Sequence, residues 1–504
     1  SHEKSQRLIE YAMSQSPKSS LWHSEGEIRF LLLKRAMDLL YASVGTAVKV
    51  TNSSNHTSSR EGRRIGWKMP IAVAAAASYY SFFDPSRRAL EAVSSSSLDL
   101  IQYAWGMVSL PAIKQLSLQA SRLLKGAAIA ERITIAGVPC FVLSRDPSPD
   151  LSAALVRGKR KRRSSINPSL STIEERAESE LDTSMDSGLQ LEAHETDTQP
   201  RRLYPKKDII LHFTGGGFFA HTLASDIPFL LDWSGATNAI VICPEYSLLP
   251  NNVFPVALEQ VTNVYCSLGR GDACEVLGVE ADRVIVTGES AGGNLAAALC
   301  VKLSLDNLMG DTIATMKMSP NDEPLTDIEA SNLTTSLSND SDTMSPWKTR
   351  MPDAIMLSCP ALNLTLDLSP SRVLGQQDPV LPSGLISAIS DAYAPPTLGI
   401  NKKDPLVSPY YAPDEVLRLF PPILLFASSD DPLLDDSVDF NRRCRSLGVD
   451  SKLGAVSHMP HAYWGLGTAG FPEALQVQHE CQEWLVQQFS RELGRESNEE
   501  NGSE

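Results

Sequence analysis

The sequence predicts an α/β protein: a doubly wound, mostly parallel sheet covered by helices, preceded by a helical region. Three observations carry that expectation. Five short, nearly all-apolar runs recur at DIILHF (208–213), AIVICPEY (239–246), RVIVTG (283–288), AIMLSCP (354–360) and PILLFAS (422–428). Parallel strands read this way because helices bury both of their faces. The runs alternate with helix-like stretches such as FLLDWSGAT, FPVALEQVTNVYCSLGR and AAALCVKLSL, the order a doubly wound sheet requires. Glycine-rich turns close the first and third runs, TGGGF (214–218) and GESAGG (288–293).

The elements follow in order. EIRFLLLKRAMDLLYASV (27–44) sets Ile28, Leu31, Leu32, Ala36, Leu39 and Leu40 at helical spacing, and LDLIQYAWGMVSL (98–110) and AIKQLSLQASRLLKGAAI (112–129) continue the pattern across Pro111. Residues 1–130 hold no catalytic motif and are expected to form an accessory helical region or cap. ITIAGVPCFVLSR (133–145) then reads as strands around an Ala-Gly turn, so 131–145 opens the catalytic domain. The segment 146–206 contains RGKRKRRSS followed by a Ser/Glu/Asp-rich stretch, and 304–350 is similarly polar. Such compositions bury too little apolar surface to offset ordering entropy, so both are expected to be disordered insertions. They divide the catalytic domain into 207–303 and 351–490, with an acidic tail at 491–504.

Composition narrows the function. With 504 residues, 42% hydrophobic and 7% aromatic, the chain has material for a substantial core. A net charge of −15 counts against a nucleic-acid partner, whose footprint would be basic. The eight cysteines are scattered, with no C-x-x-C pair and no Cys/His cluster at zinc spacing. Buried thiols in a reducing compartment are therefore expected, and neither a metal nor a cofactor. The opening SHEKSQRLIEYAM lacks the apolar core of a signal peptide. The longest apolar run, Pro70 to Phe83, has 14 residues, short of the ~20 that span a bilayer. Sequons stand at Asn52, Asn55, Asn332 and Asn363.

The chemistry lies in the turns. Gly288-Glu289-Ser290-Ala291-Gly292 is a G-x-S-x-G, weak alone but here flanked by an apolar strand and a helix start. Strand, sharp turn and helix are what exposes a nucleophilic serine above a sheet. Acyl transfer builds negative charge on the carbonyl oxygen, and the glycines of Thr214–Phe218 leave backbone N–H groups free to approach it. A serine hydroxyl needs a base oriented by a carboxylate. The acid belongs just past a strand end, where PILLFASSDDPLLDD offers Asp430 and Asp431. The base belongs after it, in SHMPHAYWGL, which offers His458 and His461; His479 lies in a helix-like stretch and reads as a surface residue.

Taken together, HFTGGGF, CPEYSLLP, GESAGGN, SPSRVLGQQDPVLP, DPLLDDSV and MPHAYW resemble the hormone-sensitive-lipase family of α/β-hydrolase esterases, over about 208–303 and 351–470. The resemblance implies Ser290 as nucleophile, Asp431 rather than Asp430 as acid, and His461 rather than His458 as base. It implies oxyanion N–H groups from Gly216, Gly217 and Ala291. Two positions depart from the family pattern: Thr214 stands where H-G-G-G has its His, and EYSLLP replaces D-Y-x-L-A-P, with Glu245 and Leu249. The expected function is a serine carboxylic ester hydrolase acting on lipid-like esters, acylglycerols or sterol esters, in the cytoplasm at a lipid-droplet or membrane surface. A small-ester carboxylesterase and a non-catalytic small-molecule receptor of the same fold are the alternatives. Ser164 and Ser165, after Arg162-Arg163 in the basic run, are candidate phosphorylation sites for a basophilic kinase.

Overall fold

The computed structural model describes residues 111–125, 129–166, 203–318, 350–375 and 378–491. Its frame is one eight-stranded sheet, ordered β1-β2-β4-β3-β5-β6-β7-β8. The strands are β1 (Ile129–Ile135), β2 (Val138–Ser144), β3 (Lys206–Phe213), β4 (Ile240–Pro244), β5 (Glu280–Glu289), β6 (Ala354–Ser358), β7 (Ile423–Ser428) and β8 (Ser451–Val456). β1 and β2 form an antiparallel hairpin, and β2 joins β4 antiparallel. From β4 to β8 every pairing is parallel. The hairpin turns at Ala136-Gly137, both at positive φ (48° and 78°), the conformation whose twist matches a two-residue hairpin. The expected α/β class and mostly parallel sheet are what the chain forms.

Side-chain alternation along the strands explains two cores. Ile209, Leu211 and Phe213 pack into one cluster and Ile210 into another. Val284 and Val286 divide from Ile285 in the same way, as do Ile423 and Leu425 from Leu424. Successive Cβ atoms point to opposite faces of a strand, so runs with no polar alternation must be covered twice. On one face lie α2 (Pro149–Ile166), α4 (Val256–Arg270), α5 (Ala291–Met318), α6 (Ser383–Tyr393) and α7 (Leu434–Ser446). On the other lie α1 (Pro111–Lys125), α3 (Leu223–Thr237) and α8 (Pro472–Ser490), around Trp233, Trp464 and Trp484.

The structure differs from the sequence expectations in places. Within 146–206, α2 is a helix that buries Leu151, Ala154 and Leu155. These three form an i, i+3, i+4 stripe that the charged composition of the whole segment conceals. Ser164 and Ser165 fall in the last turn of that helix, not in an extended peptide. In the second expected insertion, α5 continues to Met318, with Leu305 and Leu308 packed against the core. α1, from the expected accessory region, packs on the sheet with Leu118 buried. Asn363 is 3% exposed, so its sequon is closed to glycosylation. The expected helices within 1–110, the remainders of both insertions, the tail beyond 491 and the other three sequons lie outside the described residues.

The turn between β5 and α5 leaves no space for side chains at its glycines. A Cβ added at Gly292 would stand 1.9 Å from the Phe213 carbonyl oxygen, and one at Gly288 would stand 2.3 Å from the Gly292 carbonyl oxygen. At Gly399 a Cβ meets nothing within 4 Å, although φ is +68°. Gly292→Ala should therefore lower the melting temperature more than Gly399→Ala, because overpacking against backbone costs at least ~1–3 kcal/mol and the open site only left-handed strain. Calorimetry of both variants checks this; equal losses would mean β3 can yield.

Candidate active site

Ser290 lies at the carboxyl end of β5 with φ 56°, a conformation uncommon for a residue with a side chain. Backbone bonds hold it there: its N–H donates to the Ser358 carbonyl (2.9 Å), and its own carbonyl accepts from Asn294 N–H (3.0 Å) and Ala361 N–H (3.1 Å). The side chain is directed to His461, whose Nε2 lies 2.7 Å from Ser290 Oγ. The other ring nitrogen, Nδ1, lies 2.9 Å from Asp431 Oδ2. An ionised carboxylate only accepts, so Nδ1 carries the proton and Nε2 is free to accept from the serine hydroxyl. The structure thus brings Ser290, His461 and Asp431 into one buried hydrogen-bonded chain. Asp431 sits just past β7, where Leu433 N–H donates to its Oδ1 (2.8 Å).

The competing residues separate by burial. His458 and Asp430 are more than a third exposed in their side chains and lie 3.9 Å apart, outside that chain. His479 pairs with Glu483 on the open face of α8. On the expected oxyanion loop, Gly216 (φ +112°) needs to be glycine because a Cβ would meet the Ala220 carbonyl oxygen at 2.3 Å. Among the described residues, no protein acceptor takes the backbone N–H of Gly216, Gly217 or Ala291. Ala291 is also the first residue of α5, whose unpaired N–H groups favour negative charge. Gly217 and Ala291 line a cleft with Ser290; its walls are Phe218, Leu364, Leu381, Ile386, Ile389 and Leu433, with Asn363.

Three residues of the site have roles that the motifs do not reveal, although Glu289 lies within GESAGGN and Asp378 within SPSRVLGQQDPVLP. His221 fills the gap left by Thr214: its Nδ1 lies 3.0 Å from Thr214 Oγ1 and its Nε2 3.0 Å from the Tyr246 carbonyl. The carbonyl only accepts, so Nε2 carries the proton and the threonine hydroxyl donates to Nδ1. Tyr246 closes the ring by donating to the Thr214 carbonyl (2.8 Å). Burial lowers the His221 pKa to about 4, keeping it neutral. Asp378 receives the His461 backbone N–H (2.8 Å). Glu289, the variable residue of the serine motif, is buried and accepts at Oε1 from Trp464 N–H (3.2 Å) and Ser358 Oγ (3.3 Å). Thr214 is seven positions from His221, but the other partners, Tyr246, His461, Ser358 and Trp464, lie 25 to 175 positions away, beyond the span of any short motif.

Charge is concentrated around the imidazole. Burial works to lower the His461 pKa, but the adjoining charge and hydrogen bond of Asp431, with Asp378 and Glu289 beyond, outweigh it and hold the pKa above the ordinary 6.5. Burial, reinforced by Asp226, pushes the Glu289 carboxyl up to about 8. The Cys359 thiol is also pushed well up by burial and donates towards Asp431. Cys359, Asp431 and His461 offer ligand atoms within 4.8 Å of one another. The Asp431 and His461 atoms are already bonded to each other, and the thiol is held protonated, so the trio does not fit a metal ion.

Residues 210–465 match a family model for the alpha/beta hydrolase fold. Human hormone-sensitive lipase is 30% identical over 196 residues, which cover 39% of this chain and 14% of the lipase. An esterase of Gibberella moniliformis is 27% identical over 257 residues, 51% of this chain and 66% of the esterase. The matches therefore span less than two thirds of either relative. A solved hormone-sensitive lipase from a metagenome library aligns at 20% identity over 78% of this chain and 97% of its own, with a TM-score of 0.47.

The raised Glu289 pKa has a measurable consequence. The folded carboxyl holds its proton up to about 8, whereas the ordinary value is 4.5. Between those limits the unfolded chain binds fewer protons, so this group takes stability away as pH rises. Glu289→Gln keeps an acceptor for Ser358 and Trp464 N–H and removes the titration. Its stability relative to the unmodified protein should grow between pH 5 and pH 8, as read by chemical unfolding at several pH values; a constant difference refutes the shift.

Proposed function

The chain belongs to the α/β-hydrolase fold family, and we propose that it is a carboxylic ester hydrolase acting through Ser290, His461 and Asp431. The observation that carries this reading is the unbroken hydrogen-bonded chain from Ser290 Oγ through His461 to Asp431, at 2.7 and 2.9 Å. As Ser290 Oγ bonds to the ester carbonyl carbon, its proton passes to His461 Nε2, and Asp431 stabilises the imidazolium that forms. The carbonyl oxygen becomes an oxyanion, received by the free N–H groups of Gly217 and Ala291 with Gly216 beside them. One such donor is worth about 3–4 kcal/mol in the transition state. The intermediate collapses, His461 returns the proton to the departing alcohol, and an acyl-enzyme remains on Ser290. Water, deprotonated by the same imidazole, then releases the acid and restores the serine.

The reading extends to lipid-like esters, acylglycerols or sterol esters. The described cleft walls are aliphatic and aromatic, suited to an acyl chain. In the sequence between Leu364 and Leu381 of those walls, Leu368, Val373 and Leu374 stand exposed, apolar surface of the kind a lipid aggregate would contact. Among the described residues, no helix is long and apolar enough to cross a membrane, so such contact would be peripheral.

Hydrolysis of p-nitrophenyl esters from acetate to palmitate, alongside emulsified diacylglycerol, tests both levels. Turnover rising with chain length and release of fatty acid from the emulsion are expected. Turnover confined to acetate and butyrate would make the protein a small-ester carboxylesterase, and binding without turnover a receptor. Ser290→Ala and His461→Ala should each lower kcat by on the order of 10⁴-fold or more, because triad members act as a unit. His458→Ala should retain most activity; the reverse pattern at the two histidines would reassign the base.

A further inference from the structure

We propose that Asp378 is a positioning residue for His461, a second carboxylate that holds the base through its backbone and joins it to the wall of the substrate cleft. The inference rests on the ester-hydrolase reading of Ser290 and His461. Asp378 is 4% exposed and its carboxylate is divided between two segments. Oδ2 accepts the backbone N–H of His461 at 2.8 Å. Oδ1 accepts Val380 N–H at 2.8 Å and Leu381 N–H at 2.6 Å. Leu381 lines the cleft beside Ser290.

The loop that carries His461 needs such a tie. His458 and Ala462 both adopt positive φ, 58° and 55°, so the backbone is in an uncommon conformation on either side of the base. Its other anchors act on either side of the base: His458 N–H donates to Ser429 Oγ (3.2 Å) and Ser428 Oγ to the Met459 carbonyl upstream, and Trp464 N–H donates to Glu289 Oε1 (3.2 Å) downstream. Among the described residues, Asp378 alone holds the His461 N–H, 83 positions away in the chain. Without it, a shift of about 1 Å would stretch both ring contacts at once.

The carboxylate also acts by its charge. Among the described residues, the ionisable groups that act on it are Asp431, after β7, and His461, after β8, and in its own segment Val380 and Leu381 contribute N–H donors. Burial and the Asp431 charge raise the Asp378 pKa to about 6, opposed by His461 and the backbone donors. The two charges favour one another: His461 draws Asp378 towards its ionised form, and Asp378 draws the imidazole towards the imidazolium, the form His461 takes as Ser290 attacks. An acyl group pressing on Leu381 would be felt at the same carboxylate.

Asp378→Asn tests this. The amide must set an NH₂ against either His461 N–H or the Val380 and Leu381 N–H groups, and it carries no charge. On a short p-nitrophenyl ester, kcat should fall by about 10- to 100-fold with KM little changed. Because the base works when neutral, loss of the carboxylate should move the acid limb of kcat/KM to lower pH, by up to about one unit. Asp378→Glu, which keeps the charge, should return the limb to its original place. If the Asn protein does not fold, Asp378→Ser supplies a smaller neutral variant for the same profile. Undiminished kcat in a neutral variant, or an unmoved limb, overturns the proposal. A limb shifted equally in the Glu variant does the same, since charge would not be the cause. If the unsubstituted protein hydrolyses no ester, the underlying reading fails first; if it does and Ser290→Ala does not, only the Asp378 assignment is in question.

Discussion

The turn that puts Ser290 at φ 56° is the constraint on which the rest of the site depends. Left-handed backbone at a residue with a side chain is unfavourable and persists only where its surroundings over-determine it. Here they do so from three directions. β3 approaches so closely that Gly292 has no room for a Cβ against Phe213 and Thr214 carbonyls. The end of β6 and the segment after it take both backbone groups of Ser290, through Ser358 and Ala361 respectively. α5 begins at the next residue and buries Leu295 through Leu299 almost completely. Energy gained by packing that helix on the sheet offsets the strained turn. The glycine loop at Thr214–Phe218 leaves the same β3 whose end approaches Gly292, so Ser290 and that loop share one rigid reference.

A second constraint follows from burying acidic groups beside a base. Asp431, Asp378, Glu289 and Asp226 all lie within the same water-poor region, where an unpaired carboxylate is expensive. Each is met differently. Asp431 takes the imidazole and a backbone N–H. Asp378 takes three backbone N–H groups. Asp226 takes two hydroxyls, Thr222 and Ser225. Glu289 has the weaker contacts, at 3.2 and 3.3 Å, and is the one driven furthest towards its neutral form. The result is a base whose charged form is favoured without direct contact from a second full charge on the ring.

What was legible in the sequence is what repeats locally. Strands buried on both faces write themselves as apolar runs, and the serine turn writes itself as small residues between a strand and a helix. The Ala-Gly hairpin and the order Ser, acid, His were legible for the same reason. Asp430 and Asp431, or His458 and His461, carry the same chemistry one to three positions apart, and only the resemblance separated them before burial did. Asp378 stands within SPSRVLGQQDPVLP, yet neither its role nor that of His221 could be read, since His461 lies 83 positions from the one and Tyr246 25 positions from the other. α2 was hidden differently: three apolar residues suffice to dock a helix, yet they vanish in the average of a polar segment.

The two departures from the family pattern show how such distant partners preserve a local geometry. Thr214 is too short to reach the Tyr246 backbone, and His221 spans the distance as a neutral relay between Thr214 Oγ1 and that carbonyl. Neutrality matters, because a charged imidazole buried on the oxyanion loop would carry an uncompensated cost in every step. Glu245 is a longer acid than the aspartate it replaces, and it reaches outward to Lys114 (2.7 Å) and Arg132 (2.5 Å). Burial opposes its charge, but those two cations hold its pKa below the ordinary value. Lys114 belongs to α1 and Arg132 to β1, so the segment after β4 is pinned to elements at the start of the described chain. Tyr246, the next residue, is the one that bonds Thr214 and receives His221. The oxyanion loop is thus linked through Tyr246 and Glu245 to α1, which makes the packing of that helix part of the site's support.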